Sequence, residues 1–421
     1  MSFSMDQKTQ VRIRRILDAA YNEVPYFNQV INELIEDTRE ITPELIGKMP
    51  IFSKRDIWDI GWLNFVSGEY LDEEFEVKQD SNSRLERTSG TSGNPMRILW
   101  NNDDYFSSTI NHWKFRRKKY GITPPSKMCT TAKTLPRKRL FSVDENGHTL
   151  TLSTRKLNLD TIGRLIDEMN EYKPEWLYIQ NSVLFVFVYF AKLLGKTFPD
   201  SIRYIEYIGE PLCEYYRKCI SEVIPVPYAN MYGCVETNGI SYSCDCGKNH
   251  LLPENVLVEI VEENGKTLED GKVGYVCVTG LHNTAMPMIR YRLNDLAVIH
   301  SDSNCKCGNA NPTIEILAAR MPSYMILNDP NVFAEAELLC PVNSGVEVFD
   351  TKPDDIVFNL KVNTLDHYEI LIPETGTDIP SDLEDTLHRI FNAYEMPNVK
   401  FTIQKAKQFD LSIPIGLFRR R

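Results

Sequence analysis

Between Asp160 and Asn230 the chain alternates between helical and strand-like apolar runs, and this alternation narrows its fold more than any other feature. Asp160 to Tyr172 reads as a helix that ends ahead of Pro174. The strand-like runs are Trp176 to Gln180, Arg203 to Ile208 and Val223 to Val226. Such an order predicts a mixed α/β domain with parallel strands, because a parallel neighbour needs a crossover and helices supply it. The most apolar run, VLFVFVYFA from Val183 to Ala191, is closed by Lys192. It is too short to cross a bilayer as a helix and is expected to be a buried one.

The flanks read differently. Gln7 to Val24 suits an amphipathic helix with Val11, Ile16, Leu17 and Ala20 on one face. It should stop at Val24-Pro25, since proline disfavours helical geometry in the residue before it. After about Leu251 short alternating strands take over: Val256 to Glu262, Gly274 to Thr279 and Leu296 to His300. Beyond Arg320 come two strand-like runs, Asp355 to Val362 and His367 to Ile372, then a helix, Pro380 to Ala393, and a strand, Val399 to Gln404. The fold expectation is α/β: a large mixed α/β N-terminal domain, residues 1–319, with a β-rich subdomain, and a small mobile α+β C-terminal domain, residues 320–421.

A net charge of −11 repels polyanions, so neither nucleic acid nor an anionic membrane is an expected partner. MSFSMDQKTQ is polar and opens no apolar segment, so a signal peptide is not expected and a cytoplasmic location is. The ten cysteines are scattered, which argues against a disulfide framework.

Three motifs carry chemistry. In Thr88-Ser89-Gly90-Thr91-Ser92-Gly93-Asn94-Pro95 two glycines permit tight backbone approach to an anion, and four hydroxyls can donate to phosphate oxygens. Taken alone, this composition also suits a flexible Ser/Gly loop. Tyr232-Gly233-Cys234-Val235-Glu236 follows the strand-like Val226 to Asn230 and offers a flat ring for a purine and a hard oxygen ligand for Mg²⁺. Met286-Pro287-Met288-Ile289-Arg290-Tyr291-Arg292-Leu293-Asn294-Asp295 brings an aspartate suited to a ribose diol and arginines suited to phosphate or to acidic partners.

In order and spacing these elements resemble the adenylate-forming superfamily, and within it the phenylacetate–coenzyme A ligase-like branch. That branch carries an S/T-S-G-T-T/S-G-x-P loop, then G-x-E-P, Y-G-x-x-E and M-P-x-I-R-Y-R-x-G-D. Here the second element is Gly209-Glu210-Pro211. Val24-Pro25-Tyr26-Phe27, the stretch from Met49-Pro50 through Lys54 to Ile57, and the closing Gly416 to Arg421 also look like that branch. The resemblance implies an ATP-dependent, AMP-forming ligase that makes an acyl-adenylate from a small carboxylic acid and passes it to a thiol such as coenzyme A or to an amine. It implies that Ser89, Gly90, Thr91, Ser92 and Gly93 hold the ATP phosphates, with Thr91 also catalytic. Gly209, Glu210 and Pro211 would flank the adenine, Tyr232 would stack on it, Glu236 would bind Mg²⁺, Asp295 would hold the ribose of ATP or AMP, and Arg320 would act near the hinge. A homodimer is left open.

Three departures stand out. Asn294-Asp295 replaces Gly-Asp, Ala319-Arg320-Met321-Pro322-Ser323 lacks the usual acidic hinge residue, and Leu417 replaces the lysine of a closing G-K-x-R-R. They motivate an alternative, a catalytically degenerate nucleotide-binding or scaffold homologue. The intact phosphate loop, Glu236 and Asp295 favour the enzyme.

Cys244-Asp245-Cys246-Gly247-Lys248-Asn249-His250 and Cys305-Lys306-Cys307-Gly308 form two C-x-C-G turns, one with a nearby histidine. Their doubling points to a closed, structural Zn²⁺ site of Cys244, His250, Cys305 and Cys307, with Cys246 as the alternative ligand. The basic run Lys114 to Lys119 reads as a solvated helix face.

Overall fold

The structure, a computed structural model, describes residues 7–78, 82–88, 96–132, 135–136, 139–154, 159–210, 212, 214–302, 304–320, 336–340, 356–364, 367–373, 379, 381, 383–385, 388, 400–406 and 415–418. The chain divides into two compact units, Met1–Arg116 with Met231–Ile316 and Arg117–Asn230 with Leu317–Arg421. The fold is mixed α/β, as the alternation predicts.

The second unit holds the parallel sheet. Met128–Ala132 pairs in parallel with Thr149–Ser153 and with Trp176–Ile179, which pairs in parallel with Tyr204–Ile208. Helices Leu159–Tyr172 and Asn181–Leu194 make the crossovers. The apolar run lies in the latter helix, whose Val183, Leu184, Phe185, Phe187, Val188 and Ala191 are at most 1% exposed. Burying such side chains contributes about 1.5–3 kcal/mol each, which is why this stretch is apolar all round. The strand expected over Val223 to Val226 does not form. Helix Glu214–Val223 runs through its first residue, and the strand is Tyr228–Cys234, placed after Pro227, whose ring cannot donate to a ladder. Towards the C-terminus, His367–Pro373 pairs antiparallel with Ile356–Thr364 and parallel with Lys400–Ala406, and it lends Ile370 and Ile372 to the core of this unit. Most of the helix expected over Pro380 to Ala393 lies outside the described residues.

The first unit combines N-terminal helices with antiparallel strands. Helix Gln7–Glu23 ends at Val24, which is extended, and helix Pro25–Leu34 starts at once with proline in its first turn. Ile13, Ile16, Leu17 and Ala20 are buried, whereas Val11, expected on that face, is 64% exposed. Val11 and Ile13 are two positions apart, nearly opposite on a helix. The strands Val256–Val261, Gly274–Gly280 and Tyr291–His300 form an antiparallel meander. The last begins at Tyr291, five residues before Leu296, because the polar Arg292 to Asp295 stretch also enters the ladder. In helix Asn102–Tyr120 the basic run is not wholly solvated, since Arg116 is buried with its guanidinium 4.6 Å from the Trp113 ring centre. Among the described residues no helix is long and apolar enough to cross a membrane.

Candidate active site

In the first unit, strands Ser83–Arg87 and Arg97–Asn101 pair antiparallel, so their connection is the Ser/Thr/Gly loop. Its ends are pinned: the Thr88 N–H donates to the Met96 carbonyl at 2.9 Å and the Met96 N–H to Thr88 Oγ1 at 2.8 Å. Ser89, Gly90, Thr91, Ser92 and Gly93 lie outside the described residues. The Lys54 ammonium reaches Thr88 Oγ1 at 3.3 Å. Lys54 opens helix Lys54–Ile60, whose start is fixed by Ser53, with N–H and hydroxyl both donating to Asp56 Oδ2 at 2.7 Å.

The Y-G-C-V-E motif forms a hairpin tip. Tyr228–Cys234 pairs with Asn238–Ser243, with Gly233 opposite Gly239, and Glu236 sits in the turn. Gly233 is required there, because a Cβ would lie 2.4 Å from the Asn238 carbonyl oxygen. Glu236 is buried, and Tyr291 donates its phenol to Glu236 Oε1 at 3.0 Å. Burial raises the Glu236 carboxyl above the ordinary range, while hydrogen bonds, the one from Tyr291 among them, and the Lys54 charge pull against that. Tyr232 donates to Asp295 Oδ2 at 2.7 Å, so the two residues expected to hold adenine and ribose are joined to each other.

The M-P-M-I-R-Y-R arginines face elsewhere. Arg290, in the left-handed region at φ 54°, is buried against Glu259, with Nε to Oε2 at 3.1 Å and Nη2 to Oε1 at 3.2 Å, and it donates to the Met49 carbonyl at 2.8 Å. Arg292 donates to the Glu263 carbonyl at 2.9 Å. Of the two roles arginine could take here, pairing with an acid is the one Arg290 fills. The arrangement also ties two motif segments together. Phe52 bridges Tyr291, with Phe52 N–H to the Arg290 carbonyl at 3.3 Å and Arg292 N–H to the Phe52 carbonyl at 2.8 Å. That bridge sets Lys54 and Tyr291 on the same hub.

In the second unit, Gly209 takes a left-handed φ of 74° just past the parallel strand Tyr204–Ile208. Glu210 is buried and accepts from the Ser182 N–H at 2.6 Å and the Ser182 hydroxyl at 2.9 Å. It therefore caps helix Asn181–Leu194, whose own N-cap, Gln180, makes no side-chain cap bond. Burial pushes its carboxyl up to about 7, against the pull of the Ser182 hydrogen bonds. Pro211 lies outside the described residues. Arg320 ends strand Thr313–Arg320, and Leu417 lies in strand Ile415–Phe418, its backbone opposite Glu337 and Val357.

The first unit also gathers the cysteine pairs. The donor atoms of Cys244, His250, Cys305 and Cys307 all lie within 4.8 Å of one another. Cys244 Sγ is 3.6 Å from Cys305 Sγ, and Cys307 Sγ is 3.3 Å from His250 Nε2. Zinc at about 2.3 Å from sulfur and about 2.0 Å from nitrogen gives tetrahedral edges of about 3.5–3.8 Å, close to these two separations, so this donor set fits that ion. His250 Nδ1 lies 2.9 Å from the Asn311 carbonyl, an acceptor only, so Nδ1 carries the proton and Nε2 is the acceptor nitrogen that faces Cys307. Each C-x-C-G turn ends on a left-handed glycine, Gly247 at φ 75° and Gly308 at φ 78°. Cys246 is exposed at the margin.

Lys54, Tyr291 and Ser182 are contributions that the sequence motifs do not single out. Lys54 and Tyr291 stand inside motif phrases, but their roles come from the Phe52–Tyr291 bridge, and Ser182 acts across the sheet edge from Glu210.

The phenylacetate-coenzyme A ligase of Thermus thermophilus is 22% identical over 386 residues, 87% of this chain and 78% of that protein. The one of Pseudomonas putida is 23% identical over 339 residues, 76% of this chain and 72% of that protein. A structure of 2-hydroxyisobutyryl-CoA ligase in the postadenylation state, in complex with 2-HIB-AMP, shares the fold at a TM-score of 0.60 and 15% identity, covering 96% of this chain and 86% of that one. Matched by the AMP-binding enzyme family over residues 35–286, more than half of its length, this chain belongs to that family.

Proposed function

We propose that the chain activates a carboxylic acid with ATP and transfers the acyl group to coenzyme A. The observation that carries this reading is the convergence of Lys54, the pinned loop end Thr88, and the Tyr291-bound Glu236. In the first half-reaction a carboxylate oxygen attacks the α-phosphorus, the bond to the bridging oxygen breaks, and pyrophosphate leaves with that electron pair. In the second, a thiolate attacks the acyl carbonyl and AMP departs. Residues 89–93 and Lys54 would bind the phosphates, Asp295 the ribose and Tyr232 the base; Gly209, Glu210 and Pro211 are assigned to the base by their motif alone. Glu236 would hold Mg²⁺, which neutralises charge on the phosphates when bound. Residues 320–421 are assigned as the C-terminal domain, with Arg320 at its start.

Leu417 cannot supply the cation expected at its position, whereas Lys54 is a cation placed at the end of the Ser/Thr/Gly loop. A thiol acceptor is favoured over an amine by the two kinds of relative, both named as CoA ligases. Their names also set the acids to try first, phenylacetate and 2-hydroxyisobutyrate. The degenerate reading is disfavoured, because a decayed site would not keep Lys54, Glu236 and Tyr291 in register. Incubation with α-labelled ATP, Mg²⁺, coenzyme A and each acid should yield AMP and the acyl thioester. ATP bound but never converted, with every acid, would return the scaffold reading.

The Cys244, His250, Cys305 and Cys307 cluster is assigned to one structural zinc. Metal analysis should find one equivalent per chain, and Cys305→Ser should lower stability by several kcal/mol, since structural zinc contributes directly to folding. Less than about 0.2 equivalents after chelator-free purification contradicts the assignment.

A further inference from the structure

We infer that Tyr291 is a positioning residue that fixes the Glu236 carboxylate for the metal carried by ATP. The inference rests on the reading that Glu236 is the metal ligand. Three observations carry it. Tyr291 is 2% exposed and Glu236 6%, so the 3.0 Å bond between them is sheltered from water. A glutamate side chain has a broad terminal torsion, and at Glu236 the Tyr291 phenol narrows it together with hydrogen bonds from the Glu236 main chain and the Cys234 thiol. Tyr291 itself cannot drift. Its ring packs 5.4 Å from the Phe52 ring, and main-chain bonds from Phe52 hold the residues on either side of it.

The phenol can act on an ionised carboxylate only as a donor. With Oε1 committed to Tyr291, the orientation of the carboxylate that would hold the cation is set beforehand. The same Phe52 bridge leads two residues on to Lys54, so the metal-binding carboxylate and the phosphate-binding ammonium are set by one main-chain contact. Arg290 secures that contact from beneath, through Glu259 and the Met49 carbonyl.

The test uses the full chain and Mn²⁺ with ATP as the probe, followed by electron paramagnetic resonance. Tyr291→Phe should weaken Mn²⁺ binding in the ATP complex by about tenfold, the scale of one hydrogen bond to a charged group. Its affinity for ATP in excess chelator should stay at the wild-type value. Replacing Tyr291 by 4-aminophenylalanine, which keeps the shape and a donor, should restore most of the loss. Wild-type Mn²⁺ affinity in Tyr291→Phe overturns the inference. So does an equal loss of metal-dependent and metal-free ATP binding, which marks a residue that only packs. Should Tyr291→Phe not fold, the amino variant decides alone: near-native Mn²⁺ affinity supports the inference, and loss of it overturns it. Glu236→Gln run in parallel separates the two readings. If that variant binds Mn²⁺ like wild type, the metal-ligand reading itself falls.

Discussion

Glu236 and Glu210 are both motif glutamates, both buried, and both held protonated more readily than an exposed carboxylate, yet their surroundings give them different work. Glu236 sits in a hairpin turn with a phenol on one oxygen and an ammonium close enough to favour its charge. Glu210 has no such cation among its principal influences; its oxygens are taken up by the first turn of a helix. A carboxylate beside a cation, near the tied ends of the Ser/Thr/Gly loop, is equipped for a metal. One spent on backbone and hydroxyl donors at a helix start is equipped to hold a turn. The motif letter is the same, and the partner decides the role.

Four substitutions sharpen this contrast, in falling order of effect. Glu236→Gln should lower ATP–pyrophosphate exchange by two to three orders of magnitude, about 3–4 kcal/mol of transition-state stabilisation, with little change in unfolding free energy. Lys54→Ala should lower exchange by about a hundredfold, the scale of one well-placed donor or cation. Equal rates in Lys54→Ala and wild type would break the link between Lys54 and the phosphates.

Glu210→Gln should show the reverse pattern, with modest kinetic change and a clear effect on stability. The Glu210 carboxyl rises from its ordinary 4.5 to about 7 in the folded chain. The folded state therefore prefers the protonated acid, so this contribution is complete below about pH 4.5 and is lost as pH rises through about 7. The lost contribution amounts to about 3 kcal/mol, and the glutamine variant should lack it. Denaturant unfolding of both proteins at pH 5 and pH 8 checks the sign, and parallel pH dependences would show that Glu210 is not the buried acid. The smallest effect is expected for Ser182→Ala, about 1 kcal/mol of stability at pH 8, from loss of the hydroxyl donor while its backbone N–H stays bonded to Glu210.

The contrast also shows what the amino-acid sequence makes legible. The parallel sheet, the buried helix over Val183 to Ala191 and the antiparallel C-terminal half of the first unit follow from apolar periodicity, a local property. The Tyr232, Glu236 and Asp295 motifs follow from order and spacing. The Tyr291–Glu236 and Lys54–Thr88 contacts join residues 55 and 34 positions apart, and no local pattern marks them. The Glu210–Ser182 contact is equally hidden, because Ser182 lies 28 positions away and looks like any serine. Val223 to Val226 misleads because a short apolar run at a helix end has the composition of a strand.

The adenylation reaction is tested most directly by ATP–pyrophosphate exchange against a panel of aromatic and short aliphatic acids, in wild type and in Glu236→Gln. An acid-dependent exchange that collapses in Glu236→Gln is the predicted result. Acid-independent exchange, or an exchange rate that Glu236→Gln leaves intact, would contradict it.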